Sequence, residues 1–298
     1  MLKRMRSFLV LVMLFIAVTM SAQVTTATMS GKVTAQDEPI IGATVVAVHE
    51  PSGTRYGTVT NVSGQFNLQG MRTGGPYKVE ISYVGYQTAI YKGINLLLGE
   101  NYVLNVSLKE SSELLDEVVV TASKESNMKS DRAGAIMNAN RDMINSTPTI
   151  SRSISDIMRL SPQGADVGNG FAVGGGNYRQ SFVTVDGAAF NNTFGLGGNL
   201  PANGSPISLD ALEQVTVAVT PFDVRQSGFT GGAINAVTRS GDNQFRGTVY
   251  GYFNNENLRG DRVEDYKLTR SKSQYYTYGA SFGGPIIKDK LFFFVNGE

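Results

Sequence analysis

From about Val24 to Glu110, apolar and polar residues alternate with a period of two, and turns interrupt the alternation often. Leu104, Val106 and Leu108 alternate with Asn105, Ser107 and Lys109, and Val79, Ile81 and Tyr83 with Lys78, Glu80 and Ser82. Phe66 and Leu68 stand between Gln65, Asn67 and Gln69. Turn residues recur at Gln36–Pro39, Pro51–Gly53, Asn61–Gly64 and Gly74–Pro76. This spacing predicts a small β-sandwich of about seven strands, each turning one face to the core.

The texture then shifts to polar and charged over 111–130, around the octapeptide Asp116–Glu117–Val118–Val119–Val120–Thr121–Ala122–Ser123. Its centre is apolar and β-branched with no helical period, so it predicts a short strand. Such a segment can add to the sheet edge of a partner protein. It fits equally well as a last strand of the sandwich.

From Asp131 the pattern is mixed. Ile150, Ile154, Ile157 and Met158 lie at helical spacing, with Ser151 or Ser153 as cap and Pro162 as stop. A Gly-rich loop, Gly168–Gly176, leads into a strand over Ser181–Val185 closed by Asp186–Gly187. A short helix over Ser208–Glu213, a strand over Val215–Val219 and a strand over Ala233–Thr238 complete a small α/β unit. After Gly241, Phe245, Gly247, Val249, Gly251 and Phe253 alternate with Arg246, Thr248, Tyr250, Tyr252 and Asn254. Tyr276, Tyr278, Ala280 and Phe282 do the same, and a turn at Pro285–Lys290 opens Leu291–Val295. Strands of roughly ten residues with one apolar face and aromatic ends are a weak signature of a transmembrane β-barrel. A soluble hairpin fits the same pattern.

Composition narrows the function. Lys3, Arg4 and Arg6 followed by the apolar run Phe8–Val18 and the small residues Ser21 and Ala22 predict a signal peptide over 1–22. Without those three cations the chain has 23 Lys+Arg against 25 Asp+Glu, so there is no basic excess to bind nucleic acid. With a single histidine, His49, and no cysteine, neither a His/Cys zinc site nor a Ser/His/Asp or Cys/His set suggests itself. Adjacent acids such as Asp37–Glu38 point apart on a strand. Gly174–Gly176 lacks the Lys-Ser/Thr of a phosphate loop. No enzyme and no cofactor are expected.

Four blocks, in order, resemble the TonB-dependent outer-membrane receptors, Oar-like branch. Ser30–Val33, Ile41–Val45 and Tyr83–Tyr86 look like a carboxypeptidase regulatory-like domain, and Asp116–Ser123 looks like a TonB box. Phe182–Asn191, Ile207–Val215 and Gly228–Thr238 look like the plug, and Phe282–Phe294 like early barrel strands around a periplasmic turn. Thr220–Arg225 stands where many plugs have Arg-Gly-Pro, which fits that branch and weakens analogy with siderophore receptors.

The resemblance implies a mainly β chain: a signal peptide over 1–22 and a transthyretin-like sandwich over 23–110. A linker over 111–130, an α/β plug over 131–241 and the first strands of a truncated barrel over 242–298 follow. The family barrel has about 22 strands, so the resemblance implies an N-terminal fragment or a remnant. Implied partners are the TonB C-terminal domain at Asp116–Ser123, outer-membrane lipid, and an extracellular iron chelate, oligosaccharide, peptide or protein. Asn177, Tyr178, Arg179, Asn191 and Asn192 are candidate substrate contacts at the plug apex. Arg225 and Arg239 are candidates to pair with barrel-wall carboxylates. The alternative function is a secreted sandwich module for carbohydrate binding or adhesion, without transport.

Overall fold

The computed structural model describes residues 25–110, 118–121, 136–149, 152–167, 170–190, 207–219, 231–258, 260–269 and 271–298. The predicted signal peptide, Asp116, Glu117, Ala122, Ser123, Asn191, Asn192 and Arg225 lie outside them.

The first unit is a sandwich of two sheets. One is built around β1 (Ala27–Ala35), flanked by β2 (Glu38–Pro39), β5 (Gln65–Met71), β8 (Asn101–Val103) and β9 (Val106–Ser107). The other runs β7-β6-β3-β4, from β3 (Thr44–His49), β4 (Thr54–Val59), β6 (Gly74–Ser82) and β7 (Ala89–Leu96). The alternation drives the layering: Val45, Ala47, Val79 and Ile81 are fully buried between the sheets, while their neighbours Thr44 and Glu80 are exposed. Gly31 is fixed by a close approach, because a Cβ there would stand 1.8 Å from the Leu104 carbonyl oxygen.

His49 ends the inward-facing row of β3. Its Nδ1 lies 2.7 Å from Ser52 Oγ, and its ring centroid lies 5.0 Å from that of buried Tyr77. Burial, helped by the charge of Arg72, lowers its pKa from 6.5 to about 4.

The second unit is a five-stranded sheet in the order β11-β16-β17-β14-β15. It is built from β11 (Ile136–Asn140), β14 (Phe182–Val185), β15 (Ala188–Ala189), β16 (Leu212–Ala218) and β17 (Ala233–Thr238). Helices α1 (Arg141–Ser146) and α2 (Ile154–Met158) supply Ile144, Ile154, Ile157 and Met158 to its core. A hairpin of β12 (Gly164–Asp166) and β13 (Phe171–Val173) packs on the same core. The helix expected near Ile150–Met158 is found as α2. Two other expectations change. Ser208–Glu213 is a single 3-10 turn at Leu209–Ala211, and the strand behind it starts at Leu212 rather than Val215. Leu212 is buried inside the sheet, so pairing overrides helix formation there.

One row of this sheet is polar although buried. Asn138 pairs with Thr216, Thr216 with Asn235, and Asn235 with Thr184, across four strands. All four are 7% exposed or less. Thr216 Oγ1 donates to Asn138 Oδ1 at 2.5 Å and Thr184 Oγ1 to Asn235 Oδ1 at 2.7 Å, which offsets the cost of burying them.

The third unit is an antiparallel sheet of β18 (Arg246–Asn255), β21 (Gln274–Ile287) and β22 (Leu291–Gly297), with a side hairpin of β19 (Arg262–Val263) and β20 (Tyr266–Lys267). Thr277, Gly279, Ser281 and Gly283 face inward, while Tyr276, Tyr278, Ala280 and Phe282 are exposed. The outer face carries two aromatic groups. Phe245, Phe282 and Phe293 gather near the β21–β22 turn, and Phe253, Tyr276 and Tyr278 near the other end. Six residues of β21 separate Phe282 from Tyr276, about 20 Å at the usual strand rise. That is close to the height of an apolar band between aromatic girdles.

Because the folded-state pKa of His49 lies below its unfolded value, its stabilising contribution is complete above about pH 6.5 and is lost as pH falls toward 4. Denaturant titrations of the chain and of His49→Gln should therefore differ in slope only in that window, the variant being flatter. Parallel curves would show that the imidazole is not desolvated.

Candidate functional site

Two places gather the residues that join units together. The first is the octapeptide. Its described part forms β10 (Val118–Thr121), which adds parallel to β7 at the end of the second sandwich sheet. The register is Val118 with Ala89, Val119 with Ile90, Val120 with Tyr91 and Thr121 with Lys92. A β-branched run and an otherwise open edge suffice to explain the pairing. In this structure Val118–Thr121 thus lies against the sandwich as an added strand.

The second is a seam between the α/β unit and the outer sheet, centred on Asp210. The 3-10 turn holds this residue between two cations. Arg141 Nη2 donates to Oδ1 at 3.0 Å, and Arg239 Nη1 lies 3.7 Å from Oδ2. Both arginines also donate to the Asp210 carbonyl oxygen. From the outer sheet, Thr248 Oγ1 donates to Oδ2 at 2.8 Å and lies 2.5 Å from the hydroxyl of Ser281. Burial alone would raise the Asp210 pKa. Hydrogen bonds from Ser281, Thr248 and Arg141, with the Arg141 charge, outweigh it and hold the carboxyl below its ordinary value.

Further contacts line the seam. Ser208 Oγ donates to Asn296 Oδ1 at 3.0 Å, and the Arg239 guanidinium lies 4.9 Å from the Phe294 ring centre. The Arg152 guanidinium lies over Tyr252 and Tyr250, at 4.1 and 4.8 Å. Arg239 was expected to meet a carboxylate of the outer sheet. Instead its partner is Asp210 of its own unit, 29 residues earlier, and the outer sheet contributes hydroxyls and rings.

The sandwich meets this assembly beside the seam. The Leu98 amide donates to Gln214 Oε1 at 3.2 Å, Asn138 Nδ2 to Glu100 Oε1 at 2.5 Å, and the Asn243 amide to the Pro51 carbonyl at 2.9 Å. Arg72 Nη2 donates to the Gly241 carbonyl at 3.3 Å. A cavity of about 190 Å³ at this junction is lined by His49, Arg72, Glu213, Arg239, Asp242 and Arg246 among others. Strands β14 and β17 run parallel toward it. The turn at Asn177–Gln180, which precedes β14, thus lies at the end of the sheet away from the sandwich.

In that turn Asn177 Oδ1 accepts from the Arg179 amide at 3.0 Å, and Arg179 Nε donates to Tyr178 Oη at 3.0 Å. Asn177 and Arg179 are exposed and Tyr178 is half-buried. At Gly232 a Cβ would stand 2.5 Å from Val173 Cγ1, which explains the glycine pair ahead of β17. Among the described residues, no group of three or more His, Cys, Asp or Glu could hold a metal ion.

A sandwich followed by a sheet with an aromatic-girdled outer face defines a class: an outer-membrane β-barrel protein with an N-terminal accessory domain. Residues 28–109 match the carboxypeptidase regulatory-like domain, and 237–298 match an outer membrane beta barrel domain. Over 151 residues the chain is 32% identical to the TonB-dependent transporter Oar of Myxococcus xanthus, covering 48% of this chain and 14% of Oar. Over 221 residues it is 29% identical to the TonB-dependent receptor SusC of Bacteroides thetaiotaomicron, covering 69% of this chain and 20% of SusC. The siderophore receptor PirA of Acinetobacter baumannii superposes on 55% of this chain and 24% of its own, with a TM-score of 0.43 and 20% identity.

The chain thus carries a carboxypeptidase regulatory-like domain and an outer membrane beta barrel domain, and it is homologous to the TonB-dependent transporter Oar and the TonB-dependent receptor SusC. These relatives are a transporter and a receptor. It spans 14% and 20% of the length of these two relatives.

Asp210→Asn should destabilise the fold by about 3 kcal/mol, since it leaves two partly buried arginines without a counter-charge. Equilibrium unfolding in detergent reads this. A loss under about 0.5 kcal/mol would show that solvent, and not Asp210, neutralises the pair.

Proposed function

We propose that this region is the energy-coupling half of an active outer-membrane transporter. Residues 23–110 are the periplasmic sandwich, 111–130 the linker with its TonB box, 131–241 the plug, and 242–298 the opening strands of the barrel wall. The TonB C-terminal domain takes Asp116–Ser123 by strand addition, and force passed along the chain displaces the plug from the wall. Substrate reaches the plug at its apex, where Asn177, Tyr178 and Arg179, with Asn191 and Asn192, are the contacts.

The observation that carries this reading is the behaviour of Val118–Thr121. The segment forms a strand by joining a sheet edge, which is the chemistry that strand addition requires. Two further observations support it. The Asn177–Gln180 turn stands at the far end of the sheet from the sandwich. The seam at Asp210 is polar and hydrogen-bonded rather than closely packed and apolar, as a separable contact would be. The homology to transporters favours this reading over a secreted adhesion module.

The test is capture of the detergent-solubilised chain by an immobilised TonB C-terminal domain. Val119→Pro removes a backbone donor from the middle of the strand and should reduce capture about tenfold or more, whereas Val119→Thr should leave it nearly unchanged. Equal capture of the chain and Val119→Pro would rule out 116–123 as the coupling segment.

A further inference from the structure

We infer that the sandwich is a competitor for the coupling strand: the edge of β7 holds Val118–Thr121 in a pairing that must open before TonB can take the same residues. This rests on the coupling role proposed above and adds to it a function for the accessory domain.

Three observations converge. First, β10 occupies the edge of β7 over four consecutive residue pairs, from Ala89 to Lys92. A strand has two edges, but each backbone amide and carbonyl points to one of them. A short strand added to a sheet by one edge therefore presents only its other edge to a newcomer, and a partner that needs the edge facing β7 finds it taken. Second, β7 would otherwise be an open edge: on its other side it pairs with β6, and among the described residues β10 alone covers it. Third, β7 is apolar on both faces at this point. Ala89 and Tyr91 turn toward the sandwich core, so Ile90 between them faces outward. In that outward row it pairs with exposed Glu80 on one side and with Val119 on the other. Ile90 is nonetheless only 4% exposed and stands outside the core cluster, a position built for a covered edge rather than a solvated one. Four residue pairs make a weak strand, so the contact holds the segment without locking it.

The chain has no cysteine, which makes a covalent lock clean. Lys92 is exposed and is the register partner of Thr121. Neighbouring strands bring paired Cα atoms within disulfide reach. The double variant Lys92→Cys/Thr121→Cys of the full chain, folded in detergent, should cross-link on mild oxidation. Oxidised, it should bind the TonB C-terminal domain at least about tenfold more weakly than the same sample after reduction. Equal binding by oxidised and reduced samples would overturn the competition while leaving the coupling segment intact. Failure to cross-link, with amide hydrogens of 118–121 exchanging as fast as an unstructured peptide, would show that the pairing does not form. Failure of both the parent chain and a free 116–123 peptide to bind would instead strike the coupling role itself, and the competition with it.

Discussion

An open strand edge is a row of unpaired amides and carbonyls, and it either finds a partner or must be defended against one. The whole arrangement turns on that constraint. In the sandwich, β7 meets it with β10, drawn from the linker and not from the sandwich itself. In the α/β unit, β11 closes one side of the sheet and the short β15 the other. Each covering strand is brief, four residues for β10, five for β11 and two for β15, against a six-residue β17 and a seven-residue β16 in the middle of the sheet. Rigid centres with short covering strands concentrate change where pairing is cheapest to break.

Electrostatics ties the units across their faces in a similar spirit. Asp210 is a single acid between two arginines, and the outer sheet reaches it through the Thr248 hydroxyl rather than through charge. The ions therefore stay within one unit. Parting the seam breaks hydrogen bonds and ring contacts, each worth about 1 kcal/mol, but strands no bare charge on the outer sheet. A carboxylate of that sheet in the same place would have made separation far more costly.

Much of the sandwich was legible in the chain because Val79, Ile81, Phe66 and Leu68 lie in a half-buried pattern of period two, which few other structures produce. The outer sheet was legible for the same reason. Strand β11 was not, since Ile-Met-Asn-Ala-Asn places Asn138 at a buried position and so breaks the pattern. Its hydrogen bonds with Thr216, 78 residues away, and with Glu100 make that burial tolerable. The short helix expected over Ser208–Glu213 is only a 3-10 turn at Leu209–Ala211, which aims Asp210. The partner of Arg239 was hidden because topology, not sequence spacing, brings Asp210 to it. For the octapeptide, composition disclosed a strand and left its neighbour open. Backbone pairing carries almost no side-chain signature, so β7 was not readable as that neighbour.

The buried polar row Asn138–Thr216–Asn235–Thr184 bears on what holds the sheet together. A sheet stitched across its middle by apolar side chains would, on opening, expose surface that water rejects and other chains accept. Here the two halves of each parted pair offer donors and acceptors that water can fill at once. Parting along this line would let water reach the row, whereas Val215, Val217, Ile234 and Ala236 of the same strands belong to the apolar core. The same row that makes β11 hard to recognise thus makes its place in the sheet depend on hydrogen bonds as well as on apolar packing.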